Sequence, residues 1–142
     1  MTGVISTAVA AIVTHLESVF TDAEVVAGTR AGVSRDKDRI VVFNPGFPSV
    51  SPDISFSKPQ IVIRYFVSLS KIPADAATPD PSSLYDAQEA LLAAFAGMDV
   101  VGSFAENFAL IQFDSEVNDD PEEWRVDVTV TGYTFNPAKH AA

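Results

Sequence analysis

Gln60-Ile61-Val62-Ile63-Arg64-Tyr65-Phe66-Val67-Ser68-Leu69-Ser70 is the longest apolar, β-branched and aromatic run of the chain. At period two, Ile61, Ile63, Tyr65, Val67 and Leu69 share one face, and Val62, Arg64, Phe66 and Ser68 share the other. A wholly apolar face opposite a mixed one describes a central strand with helices against one side. Pro59 stands at its start, where a missing N–H is tolerated.

Working outward, residues 4–20 read as an amphipathic helix. Ile5, Ala8, Val9, Ile12, Val13, Leu16, Val19 and Phe20 follow the i, i+3, i+4, i+7 rule, with Thr2 or Ser6 as its cap. Residues 24–28 form a short strand, and 29–38 an exposed loop or hairpin tip. Residues 39–43, Arg-Ile-Val-Val-Phe, form a strand, and Asn44-Pro45-Gly46 signals a turn. Residues 82–96 form a second helix, with a stripe of Leu84, Ala87, Leu91, Leu92 and Phe95. Ser83 and Asp86 match a capping box, and Gly97 is the stop. Residues 108–113 and 124–135 read as an antiparallel hairpin joined by the acidic turn 114–123, and 136–142 as a short polar tail.

The expected fold is therefore α+β: two helices on one face of a mostly antiparallel sheet of about four to five strands, with a long proline-rich loop or hairpin. At 142 residues and 47% apolar composition, the chain suits a single domain with a real core. No apolar run is long enough to span a bilayer, and the start has no basic n-region, so folding in a cytoplasm is expected.

Charge and composition exclude several functions. Nine Lys and Arg against nineteen Asp and Glu give a net charge of −10, which argues against gripping DNA or anionic membrane. It does not argue against a surface that DNA slides past. The absence of cysteine removes disulfides, thiol nucleophiles and cysteine metal sites. With two histidines and no glycine-rich phosphate or nucleophile-elbow motif, no catalytic, metal-binding or cofactor-binding residue is assigned, and no enzyme activity or cofactor is expected. The acidic residues Asp114, Glu116, Asp119, Asp120, Glu122 and Glu123 have oxygens for Ca²⁺, but the EF-hand order fails. They read as a hairpin-tip surface or as the lining of an acidic channel.

Two further stretches carry candidate contact residues. The first holds Arg30, Arg35 and Lys37, either a solvated turn or a docking patch for an acidic partner or neighbouring subunit. The second, 44–59, carries four prolines with Phe47, Val50 and Phe56. It is either an assembly arm or a cover folded back on a sheet edge. Ile72, in the proline-rich connection after the central strand, is a further candidate.

The order helix, strand, strand, long loop, central strand, proline-rich connection, helix, strand, acidic turn, strand resembles the tail terminator (tail-completion) proteins of long-tailed phages. The likeness rests on the stripe from Ile5 to Phe20, on Ile61-Val62-Ile63-Arg64-Tyr65-Phe66-Val67, on the helix from Leu84 to Phe95, and on Trp124-Arg125-Val126-Asp127-Val128-Thr129-Val130. It covers nearly the whole length in pattern and size. The resemblance implies a virion protein, assembled in the bacterial host cytoplasm. It would form a homo-oligomeric ring, typically a hexamer, that caps the tail tube and joins it to a head-proximal connector. Its partners would be the tube protein and that connector, with DNA only in transit and no membrane. Another head–tail connector subunit, of stopper or tube type, and a small non-viral α+β binding domain are the alternatives.

Overall fold

The computed structural model describes residues 3–28, 32–46, 51–72, 80–98, 108–120, 122–136 and 139. Two helices cover one face of a six-stranded, mostly antiparallel sheet. The elements are α1 (Val4–Val19), β1 (Glu24–Ala27), β2 (Arg39–Phe43), β3 (Phe56–Ser57), β4 (Gln60–Phe66), α2 (Ser82–Ala93), β5 (Ala109–Asp120) and β6 (Glu123–Phe135). The fold class matches the sequence expectation. The strand count exceeds it because the short β3 joins the sheet.

β6 organises the sheet. It pairs antiparallel with β4 along one side and with β5 along the other, while β2 pairs antiparallel with β4. β3 meets the far end of β6 in the same register as β4, Phe56 opposite Phe135 and Gln60 opposite Thr131. β3 and β4 are thus one strand interrupted at Lys58 and Pro59. The Gly132 N–H donates to the Pro59 carbonyl at 2.9 Å, so the proline costs the ladder only the donor it lacks.

The core lies between helices and sheet. Ala8, Ile12 and Leu16 of α1 and Leu84, Ala87 and Leu91 of α2 pack over Ile40, Val42, Ile61, Ile63, Tyr65, Trp124, Val126, Val128 and Val130. Alternation puts every second residue of β2, β4 and β6 in this layer. The helices lock together where His15 Nε2 bonds the Ala94 carbonyl.

Several expectations are corrected. The 29–38 connection is not a hairpin, because β1 and β2 are parallel, Val25 beside Ile40. Gly32 lies within reach of the helix-free face, where Arg39 Nη1 donates to its carbonyl at 3.4 Å, while Asp36, Lys37 and Asp38 line a cleft with Val19 and Phe20. The central strand stops at Phe66. The Leu69 and Ser70 N–H groups turn to the Ser34 and Arg35 carbonyls, and Leu69 is exposed rather than in the core. Val19, expected in the α1 stripe, is exposed. Neither helix has a side-chain cap bond at its N-cap residue, Gly3 or Pro81; Asp80 Oδ1 instead accepts the Ser82 N–H at 3.0 Å. The capping box of Ser83 and Asp86 is therefore not formed. α2 ends at Ala93 with Ala94 as its C-cap, short of the expected 96, so Gly97, with φ +77°, is not its C′ residue and instead ends the turns that follow the helix.

The acidic segment is strand for most of its length. Phe113, Ser115 and Val117 pair with Val130, Val128 and Val126, and this alternation carries β5 through to Asp120. Asn136 is not tail. It is fully buried, and its Nδ2 donates to the Ser51 and Ile54 carbonyls at 2.7 Å each.

Candidate functional site

No helix covers the second face of the sheet, although Val41 and Phe66 on it are buried. By alternation it carries Arg39, Val41 and Phe43 of β2, Val62, Arg64 and Phe66 of β4, and Arg125, Asp127, Thr129, Thr131, Tyr133 and Phe135 of β6. Its two ends differ in chemistry. At one end Phe56 stacks on Tyr133 and Phe135, with ring centroids 4.9 and 5.8 Å apart. All three rings stay exposed, at 42%, 40% and 36%. Ile54, close by in sequence, is more exposed still. Three aromatic rings stacked on each other and open to water form an apolar patch, the kind of surface that marks a contact site.

At the other end the face is ionic. Arg64 Nε donates to Asp127 at 2.9 Å and its guanidinium lies 5.3 Å from the centre of the Phe43 ring. Arg125 reaches Glu123 at 3.0 Å and lies 3.4 Å from the second Asp127 oxygen. Arg39 pairs with Glu24 at 3.0 Å. Half-exposed pairs of this kind add little stability singly, and as a row they fix side-chain positions.

β5 borders this face. Asp114, Glu116 and Asp120 share the bare side with Gln112 and Asn118, whereas Asp119 lies on the helix side and Glu122 in the turn. Glu123 opens β6 and is held by Arg125. The six acidic residues singled out in the sequence thus lie along one hairpin, and four of them, Asp114, Glu116, Asp120 and Glu123, share a face. Among the described residues, no group of three or more His, Asp or Glu is arranged to hold a metal ion.

A third feature sits at the end of β4, on the helix side. The Asp38 carboxylate, almost fully buried, accepts from the Tyr65 hydroxyl, from the Ser68 N–H at 2.8 Å and from Lys71 Nζ at 2.8 Å. Burial by itself would raise its pKa; the bonds from Lys71, Tyr65 and Ser68 outweigh this and hold the carboxyl below its ordinary range. Burial, then the hydrogen bond to Asp38 and the charge of that carboxylate, push the Tyr65 phenol up, so it stays protonated as a donor. Two clefts flank the group. One of about 440 Å³ lies between Phe20, Asp22, Lys37 and Ser70, and one of about 290 Å³ against Ser83, Asp86 and Ala90. Both Asp38 oxygens are already engaged, so the group anchors the segment after β4 to the start of β2 and has no free base to offer a substrate.

The contact residues expected from the sequence scatter. Arg35 and Lys37 are exposed on the β1–β2 connection. Phe56 belongs to the aromatic stack on the sheet. Ile72 packs against the core and is partly buried. Arg30, Phe47 and Val50 lie outside the described residues. Sequence reasoning missed Tyr133 and Phe135. Their signal was there: the polar face of 124–135 turns aromatic in its last two positions. It also missed Asp38, whose partners are 27 to 33 residues away in sequence.

No protein-family model matches the chain, and no curated protein matches it either.

Proposed function

We propose that this chain is a subunit of a ring that caps the tail tube of a long-tailed phage and joins it to the head-proximal connector, leaving a channel for DNA. The observation that carries the reading is the bare face of the sheet. It pairs an exposed aromatic stack of Phe56, Tyr133 and Phe135 with an acidic hairpin beside it. A finished monomer surface rarely leaves three stacked rings in water, whereas a subunit awaiting its neighbour or the tube does. The carboxylates of β5 suit a surface past which DNA moves without adhering, because like charges repel it. The rest of the support is the likeness in order and size of the elements.

The test is the mass of the purified protein in native conditions, alone and with tube protein. A cyclic oligomer is expected, with six copies the favoured number. A strict monomer at high concentration that never joins tube ends overturns the reading. Replacing Phe56 and Tyr133 together by Ser is expected to block assembly while the monomer still unfolds cooperatively. Equal loss of assembly and of thermal stability makes the stack a fold element instead.

A further inference from the structure

We propose that the outer edge of β5 accepts an extended segment of another protein as an added strand, and that this segment alternates Lys or Arg with aliphatic residues. This goes beyond the ring reading and does not rest on it. β5 is twelve residues long and, among the described residues, pairs only with β6. About half of its N–H and C=O groups therefore point away from the sheet, and residues 111–116 are all exposed. Edges left open in this way are usually shortened, broken by proline or guarded by charge, lysine above all. β5 has no proline, its only charges are carboxylates, which repel another acidic edge and attract a cationic one, and its one register shift lies between Leu110 and Gln112, so its ladder is unbroken from Gln112 to Asp120.

The two sides of β5 specify what can be added. On the bare side an incoming strand meets Gln112, Asp114, Glu116, Asn118 and Asp120, with no cation from β5 itself. On the helix side it meets Phe113, which leans on Phe95 at 5.3 Å and is 37% exposed, then Ser115 and Val117, and a carboxylate only at the far end, Asp119. Cross-strand pairs of opposite charge favour pairing and like charges oppose it. A partner with cations on one side and aliphatic residues on the other satisfies both rows. A second copy does not qualify. β5 against β5 sets carboxylates beside carboxylates. The chain's own alternating Arg35 and Lys37 carry Asp36 between them, and the Ser34 and Arg35 carbonyls are already bonded to Leu69 and Ser70.

The probe is a ten-residue synthetic peptide alternating lysine with valine and threonine, its termini blocked. Amide exchange and amide shifts of the full chain are followed residue by residue. Added protection confined to β5 is expected, and an analogue with every peptide nitrogen methylated is expected to bind about tenfold more weakly or worse. Asp114→Lys with Glu116→Lys is expected to abolish protection. Glu17→Lys with Glu89→Lys, which changes net charge equally on the helices, is expected to leave it. If the lysine pair does not fold, Asp114→Asn with Glu116→Gln serves. Equal binding of the methylated analogue, shifts spread over the whole acidic surface, no binding at all, or protection of β5 by a second copy without peptide would each overturn the proposal.

Discussion

Gly132 is the position where a single methyl group should be felt most. It lies in β6 opposite Leu110, and the far end of the Phe108 ring fills the space where its side chain would be. A Cβ placed there would stand 2.3 Å from Phe108 Cζ, 2.5 Å from Cε1 and 2.8 Å from Cε2. Ordinary contact needs about 3.5 Å, so the ring must withdraw by roughly 1 Å. Phe108 is fully buried in the core, with no solvent to withdraw into. Overpacking of this kind costs about 1–3 kcal/mol. Against it stands the ordinary gain from replacing glycine in a strand, about 0.5–1 kcal/mol from chain entropy. The clash wins, and Gly132→Ala is expected to destabilise by about 1–2 kcal/mol. The chain's one tryptophan, Trp124, is 2% exposed, which makes its fluorescence in a urea titration the natural readout. Phe108→Leu alone should also destabilise, by leaving a cavity. The double variant should lose less than the two single losses together, because a smaller side chain makes room for the methyl. A Gly132→Ala protein as stable as the parent, or additive losses in the double variant, would show that the ring does not fill the space above Gly132.

Two other outcomes follow from the buried polar groups. The folded-state pKa of Asp38 is lowered from its ordinary value of 3.8, so its contribution is fully present above that value and is lost as pH falls through the folded pKa. Asp38→Asn should therefore destabilise at neutral pH and flatten the acid limb of the stability curve below about pH 4; an unchanged limb in urea titrations from pH 2 to 7 would show that other carboxyls set it. Asn136→Ala leaves the Ile54 carbonyl without this donor and the Ser51 carbonyl with only the Ile54 N–H, and should cost about 1–3 kcal/mol, with faster proteolysis within 51–57 before global unfolding; unchanged cleavage there would show that β3 holds this segment unaided.

Much of the architecture was legible because it follows from periodicity. Ala8, Ile12 and Leu16 recur at helical spacing, and Trp124, Val126, Val128 and Val130 at strand spacing, so each announces both its element and its buried face. The candidate surface was legible only in part. The acidic residues stood out by composition, but composition suggested a turn. The weaker alternation of Phe113, Ser115 and Val117 gave them a strand once β6 offered Val130, Val128 and Val126 as partners. Phe56 stood out as an aromatic among prolines, yet its neighbours Tyr133 and Phe135 lie at the other end of the chain.

The sequence by itself determined the α+β class, the apolar face of 61–67 and the acidic character of the hairpin, since these depend on residues a few positions apart. Tertiary structure decided the parallel pairing of β1 with β2, the end-to-end alignment of β3 with β4, the Asp38 anchor and the stacked rings on the bare face. Each of these joins segments distant along the chain. Whether such segments meet is set by competition among pairings across the whole sheet, and no local pattern records its result.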